Sequence, residues 1–342
     1  MARNPKDALG RIGVLPRDAN GSSFEPSLDV LVQAVEDAAA AGRESDVQNA
    51  CARLIAQYPD HPMVEPAYVR LVQGLVMSHD YSGAQRTFDT FRALHPQSSL
   101  LPEALLDMAG WQYEIGRYEQ AARAYTDLVA MVTNASIVPE HGEDAAPRPI
   151  LWRSKQLWNE HQRRLKSRTE LERLARFNQA LCYEQAGNPE AALRAFERFR
   201  ARFPQDERLA EANFHEAALN VAVGRNAEAL DHFIAAAETA SAPPALRSES
   251  LYRAGLLLQA ARRNDDAIAI YRRAQAVRPS DDAYRVAALA ALAQLLEERE
   301  PLRALDIYRE IADCATQPAL RAVALERLSV LERDSAVAAA GR

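Results

Sequence analysis

The stretch Gly116–Leu128 reads "GRYEQAARAYTDL". A glycine opens it, a small residue stands at Ala121, an aromatic follows four later at Tyr125, and an apolar residue three after that at Leu128. The pattern recurs, with a proline five residues on, as Ala84, Phe88, Phe91, Pro96, as Ala192, Phe196, Phe199, Pro204, and as Ala267, Tyr271, Ala274, Pro279. Weaker copies are Val47, Cys51, Leu54, Pro59, then Ala229, Phe233, Ala236, and finally Ala304, Tyr308, Ile311. The small positions 47, 84, 121, 192, 229, 267 and 304 are spaced by 37, 37, 71, 37, 38 and 37 residues. Helix-favouring composition alone gives no such regularity; a fixed period of this size marks stacked repeats.

Bulk properties point the same way. Only 13 of 342 residues are glycine, and Ala, Leu, Arg and Glu dominate, residues that lose little freedom in a helix. Small residues let the two helices of a unit approach, aromatics fill the space between units, and a proline after the second helix stops it. Such a helix pair cannot bury its apolar face alone, so neighbouring units must stack.

The run "GRYEQAARAYTDL" resembles the tetratricopeptide repeat (TPR), whose Gly, Tyr, small, aromatic and apolar positions match Gly116, Tyr118, Ala121, Tyr125 and Leu128. The small position of the first helix is matched by Ala109, Ala180, Ala217 and Gly255, whereas Val72 and Leu292 stand there in two units and predict looser packing. Units of 37 residues ending "QYPDHP", "LHPQSS" or "RFPQD" resemble those of bacterial BamD/CpoB-type envelope TPR proteins. The resemblance implies an all-α fold, a right-handed α-solenoid of TPR-like helix pairs with one helical insertion. It divides the chain into a flexible tail at 1–26, TPR-like units 1–3 at 27–132, an insertion at 133–168, TPR-like units 4–7 at 169–317, and a capping helix and tail at 318–342.

The insertion accounts for the spacing of 71. Counting on by 37 from Ala121 reaches Trp158, where a small residue belongs, and Pro139, Gly142, Pro147 and Pro149 interrupt the would-be first helix. Its first part reads as a loop, its second as the basic helix "WRSKQLWNEHQRRLKSR" from Trp152 to Arg168. Between Ile150 and Ala186 there is no Gly or Pro, so either one helix of about 55 Å at ~1.5 Å per residue spans it, or the capping pairs Ser167/Glu170 and Thr169/Glu172 break it. Leu151, Trp158 and Leu165 form a narrow apolar stripe while the cations scatter around it. Three readings stay open: docking on the repeats with solvated cations, a partner-binding helix marked by Trp152, Trp158, Arg163 and Arg164, and a phosphate-binding face.

Other chemistry is thin. A net charge of −6 argues against a general phosphate binder. Cys51, Cys182 and Cys314 are far apart and form no C-x-x-C, and the histidines show no metal-ligand spacing. "HEAALN" at His215 fails as a zinc-protease helix because Leu219 stands where the second His must be. No enzyme, cofactor or metal site is expected, and no small-molecule substrate. No run approaches a membrane span of ~18 apolar residues. The N-terminus lacks an apolar leader segment, which reads as cytoplasmic, or periplasmic if a leader was removed.

The resemblance makes the first-helix face an inner groove, and the repeat register places Val69, Leu106, Phe177, Phe214, Tyr252 and Leu289 on it, with Gln73, Met77 and Tyr113 nearby. The expected function is therefore a non-enzymatic protein–protein interaction scaffold holding a partner helix or apolar peptide. A structural module whose groove is filled by its own insertion or tail, and a periplasmic envelope-assembly coordinator, are the alternatives.

Overall fold

A computed structural model describes the backbone at residues 27–133, 167–278 and 281–340, and side chains as far as 333. Within these residues the chain is an all-α solenoid of fifteen helices. It divides into two compact units, residues 1–188 and 189–342. The first contains α1 (Leu28–Ala40), α2 (Glu44–Gln57), α3 (Val64–Met77), α4 (Tyr81–Leu94), α5 (Leu101–Glu114), α6 (Tyr118–Thr133) and α7 (Arg168–Gln185). The second contains α8 (Pro189–Arg202), α9 (Leu209–Ala222), α10 (Asn226–Glu238), α11 (Pro244–Ala260), α12 (Asn264–Gln275), α13 (Ala283–Leu296), α14 (Pro301–Cys314) and α15 (Pro318–Ala340). The expected tail at 1–26, residues 134–166 of the expected insertion with Trp152, Trp158, Arg163 and Arg164, and Pro279 lie outside the described residues.

The turns repeat with the sequence period. A left-handed residue ends the first helix of six pairs, at Gly42, His79, Gly116, Gly187, Gly224 and Arg262. Each is followed by an amide that donates back five residues, as Arg117 N does to the Gln112 carbonyl at 2.8 Å and Arg263 N to Leu258 at 2.8 Å. This is the Schellman closure that satisfies the last carbonyls of a helix. The second helices then start from the turn, α4 with Asp80 accepting from Gly83 N at 2.9 Å. They stop just before a proline, at Gln57, Leu94 and Arg202 ahead of Pro59, Pro96 and Pro204. Ser167 caps α7, its Oγ accepting from Glu170 N at 3.2 Å, so a helix begins at Arg168 as the first of the two capping patterns predicts.

The small, aromatic and apolar repeat positions of the second helices are core. The small residues from Val47 to Ala304 and their aromatic partners, Phe88, Tyr125, Phe196, Phe233, Tyr271 and Tyr308, are buried. Val72 and Leu292 are also fully buried, so the larger residues at the small position are accommodated without exposure. The tightest approach is at Gly255, where a Cβ would lie 2.1 Å from Cε1 of Tyr271.

Within each unit the layers are unequal. First helices touch one another (α3 with α5, α5 with α7; α9 with α11, α11 with α13), while no comparable approach joins successive second helices among the described residues. Packing is thus closer in the first-helix layer and splayed in the second-helix layer of each unit. Across the splayed layer, exposed ion pairs span about one period: Arg92–Asp127 at 3.1 Å in the first unit, and Arg225–Glu190 at 2.6 Å, Arg273–Glu238 at 2.9 Å and Arg299–Asp265 in the second. The second unit also has a buried tie. Arg285, fully buried on α13, donates Nη2 to the Gln275 carbonyl at 2.9 Å and pairs with Glu310 of α14. Helix α15 closes the end, burying Ala324 and Leu328 and clasping Glu297 with Arg327, while Tyr308 Oη donates to Glu297 at 2.6 Å.

Candidate interaction site

In the first unit, Met77 is 66% exposed at the end of α3, Gln73 donates to Asp107 Oδ2 at 2.7 Å, and Leu106 and Tyr113 are half-buried on α5. Tyr113 meets Tyr118 edge-on at 5.3 Å. Val69 and Phe177 are buried, which corrects the expectation that they offer groove surface. Both sit on first helices that touch the next one along, α3 on α5 and α7 on α5, and an apolar side chain at such a seam is covered by its neighbour.

The second unit presents a more continuous face. On α9, Glu211, Phe214, Ala218 and Val221 recur at steps of three, four and three residues, and Glu249, Tyr252, Leu256 and Gln259 repeat those steps on α11. Residues so spaced share one helical face. Val221 and Leu256 are each 41% exposed, and Phe214 and Tyr252 are half-buried. Phe214 packs edge-on to Phe233 at 5.6 Å, which anchors it from below. Arg253 sets its guanidinium 5.0 Å over the Phe214 ring and pairs with Glu249 at 2.6 Å.

The stripe does not continue on α13. Its register equivalents, Val286, Leu289, Ala293 and Leu296, are all buried, so Leu289 belongs to the core rather than to a groove. Tyr284, 38% exposed, lies instead 6.2 Å from Tyr252 and extends the aromatic file across the third first helix. Tyr284 stands five residues ahead of the register position, so the period does not mark it. The usable signal was an aromatic two residues after the helix cap Asp282.

Ionisable chemistry elsewhere is structural in character. Burial pushes the Cys51 and Cys182 thiols up to about 12, away from the thiolate form a nucleophile needs. Glu216 is buried on α9 with its Oε2 2.5 Å from Arg200 Nε and 3.9 Å from His232 Nδ1. Burial raises Glu216 against the pull of Arg200, and lowers His232. Among the described residues no group of three His, Cys, Asp or Glu could hold a metal ion, and no helix is long and apolar enough to cross a membrane. An open depression of about 360 Å³ beside the α5–α6 turn is lined by Arg117, Tyr118, Glu119 and Gln185 among others, without a buried acid–base pair.

Comparison with known proteins bears on the fold. The tetratricopeptide repeat family model matches residues 103–131, 174–206 and 249–280, which fall on α5–α6, α7–α8 and α11–α12. No curated protein matches the chain. Among solved structures it is similar to a tetratricopeptide repeat protein from Parabacteroides merdae, at 16% identity and TM-score 0.43 over 89% of this chain and 98% of that one. It is also similar to pilF of Pseudomonas aeruginosa, at 14% identity and TM-score 0.39 over 73% and 91%. MamA aligns at 14% identity and TM-score 0.38 over 68% and 96%. None of these scores reaches 0.5, so the fold rests on the chain's own helices and on the matched repeats.

Proposed function

We propose that this chain of tetratricopeptide repeats is a non-enzymatic scaffold that holds a helix or apolar peptide of another protein against its first-helix face. The observation that carries the reading is the file of half-exposed rings and exposed aliphatics in the second unit: Phe214 and Val221 on α9, Tyr252 and Leu256 on α11, and Tyr284 on α13. Contiguous exposed apolar surface on a soluble face marks an interaction site, and aromatic side chains anchored from below lose little freedom when a partner covers them. Met77, Leu106 and Tyr113 give the first unit a smaller face of the same kind, narrowed by the Gln73–Asp107 hydrogen bond.

The test replaces exposed residues, since Asp at a buried position such as Phe177 would unfold the chain rather than probe the face. Val221→Asp with Leu256→Asp is expected to leave the far-ultraviolet circular dichroism unchanged and to abolish capture of the partner that the wild-type chain retains from its native extract. Capture of the same partner in the same yield by the variant would overturn the assignment.

A further inference from the structure

We infer that the second unit's first-helix face takes a cationic, apolar segment, one that alternates Arg or Lys with apolar or aromatic side chains. The inference rests on the scaffold reading above and adds the partner's chemistry. It comes from how charge is arranged along the aromatic file. Each ring is preceded by an acid three residues earlier: Glu211 before Phe214, Glu249 before Tyr252, Asp281 before Tyr284. On α9 and α11 that spacing sets the carboxylate beside the ring, while Asp281 stands in the turn just ahead of the α13 cap Asp282.

The cation of this strip is Arg253, and it is already engaged, paired with Glu249 at 2.6 Å and lying over Phe214 at 5.0 Å. Arg285 of α13 is buried and held by Glu310 and the Gln275 carbonyl. Glu211 and Asp281 are exposed and form no ion pair among the described residues. The face therefore carries two exposed carboxylates without an ion pair, Glu211 on α9 and Asp281 in the turn leading into α13, while the exposed Arg278 ahead of that turn bonds the Gln275 and Val277 carbonyls. Cations are attracted both to the carboxylates and to the ring faces, while an acidic peptide or a free C-terminal carboxylate meets repulsion at both ends. Complementary charge of this kind selects partners and speeds encounter more than it deepens affinity.

The probes are two fluorescein-labelled peptides of equal length with the same Leu and Trp residues, one carrying Arg and the other Glu between them. Fluorescence anisotropy with the full chain is expected to give at least tenfold tighter binding for the Arg peptide at low salt. The preference should shrink at about 0.5 M salt, where charges are screened beyond a few ångströms. The double variant Glu211→Lys/Asp281→Lys should narrow the preference by about fivefold or more, because each exposed pair contributes little singly. A control pair on a second helix, Glu228→Lys/Asp231→Lys, should leave the preference within twofold of wild type. Equal binding of both peptides, no binding of either, or an equal effect of the control pair would overturn the inference. In each case partner capture sensitive to Val221→Asp/Leu256→Asp would leave the scaffold reading standing, whereas insensitivity there would remove both.

Discussion

Replacing Gly255 with alanine should destabilise the second unit, although alanine is what neighbouring repeats carry at this position, as Ala217 on α9 shows. The added Cβ would lie 2.1 Å from Cε1, 2.4 Å from Cζ and 2.8 Å from Cδ1 of Tyr271. Ordinary contact starts near 3.4 Å, so the ring must retreat by 3.4 − 2.1, about 1.3 Å. It has nowhere to go. Tyr271 is fully buried and its hydroxyl donates to Gln259 Oε1 at 2.6 Å. Overpacking of this kind costs about 1–3 kcal/mol, and a lost hydrogen bond about 0.5–1.5 kcal/mol more. Against that, Gly→Ala in a helix interior returns about 1 kcal/mol. The net is a loss of about 2 kcal/mol, or ~4–8 °C in melting midpoint at about 2–4 °C per kcal/mol for a unit of this size. Thermal and urea unfolding followed by circular dichroism at 222 nm (the standard helix band) would measure it. The matching control is Gly110→Ala on α5, whose Cβ would meet Tyr125 Oη at an ordinary 3.7 Å and should stabilise by about 1 kcal/mol. Adding Tyr271→Leu should make Gly255→Ala nearly neutral by opening the space, a coupling a double-mutant cycle reads directly. If Gly255→Ala is as stable as wild type in the Tyr271 background, the close-approach argument is wrong.

Further outcomes follow from other sites. Arg262 holds a left-handed backbone at φ 59°, a conformation that costs a side-chain-bearing residue about 1 kcal/mol, so Arg262→Gly should raise the urea midpoint by a corresponding amount. Arg285→Met removes a buried guanidinium that serves the Gln275 carbonyl and Glu310; a loss of about 2–3 kcal/mol is expected in chemical unfolding. The Cys51 and Cys182 thiols, pushed up to about 12 by burial, should resist Ellman's reagent at mild alkaline pH until the chain unfolds. Because the folded chain holds these protons more tightly than the unfolded chain, their contribution to stability is complete below the ordinary thiol value of 9.0 and is lost as pH rises toward about 12. A pH titration of the unfolding midpoint should therefore decline on the alkaline side above pH ~9, and Cys51→Ala should flatten part of that slope.

The fold could be read from the sequence because its determinants are local and periodic. The small residue and the aromatic four later recur together on the second helix of each pair, so the spacing of 37 between Ala84 and Ala121 marks both positions at once. The turns follow the same logic: the left-handed position advances from Gly116 to Gly187 and Gly224 with the repeat. His79 and Arg262 occupy it too, where residue type gives no hint and only the register does. The candidate interaction face is less legible in the sequence, because exposure of a first-helix residue depends on how its helix lies against the next. Val69, Phe177 and Leu289 share the register of Phe214 and Tyr252 yet are buried, while Tyr284 is out of register and exposed. Periodicity specifies which side of a helix faces inward; the rotation and closeness of neighbouring helices decide whether that side is a seam or a surface.

The ion pairs that tie a second helix to the following second helix, or to the turn leading into it, have a consequence for how the array comes apart. Each is exposed and contributes little alone, about 0–1 kcal/mol, but each belongs to the junction between adjacent repeats rather than to either repeat. In a nearest-neighbour chain, junction terms govern how far melting of one element propagates to the next. Arg225–Glu190, Arg273–Glu238 and Arg299–Asp265 thus act in series along the second unit. Screening them with salt weakens the couplings while leaving the apolar interior of each helix pair intact. The rungs therefore set the length over which repeats melt together: high ionic strength shortens that correlation length, and fraying from an end becomes separable from collapse of the whole.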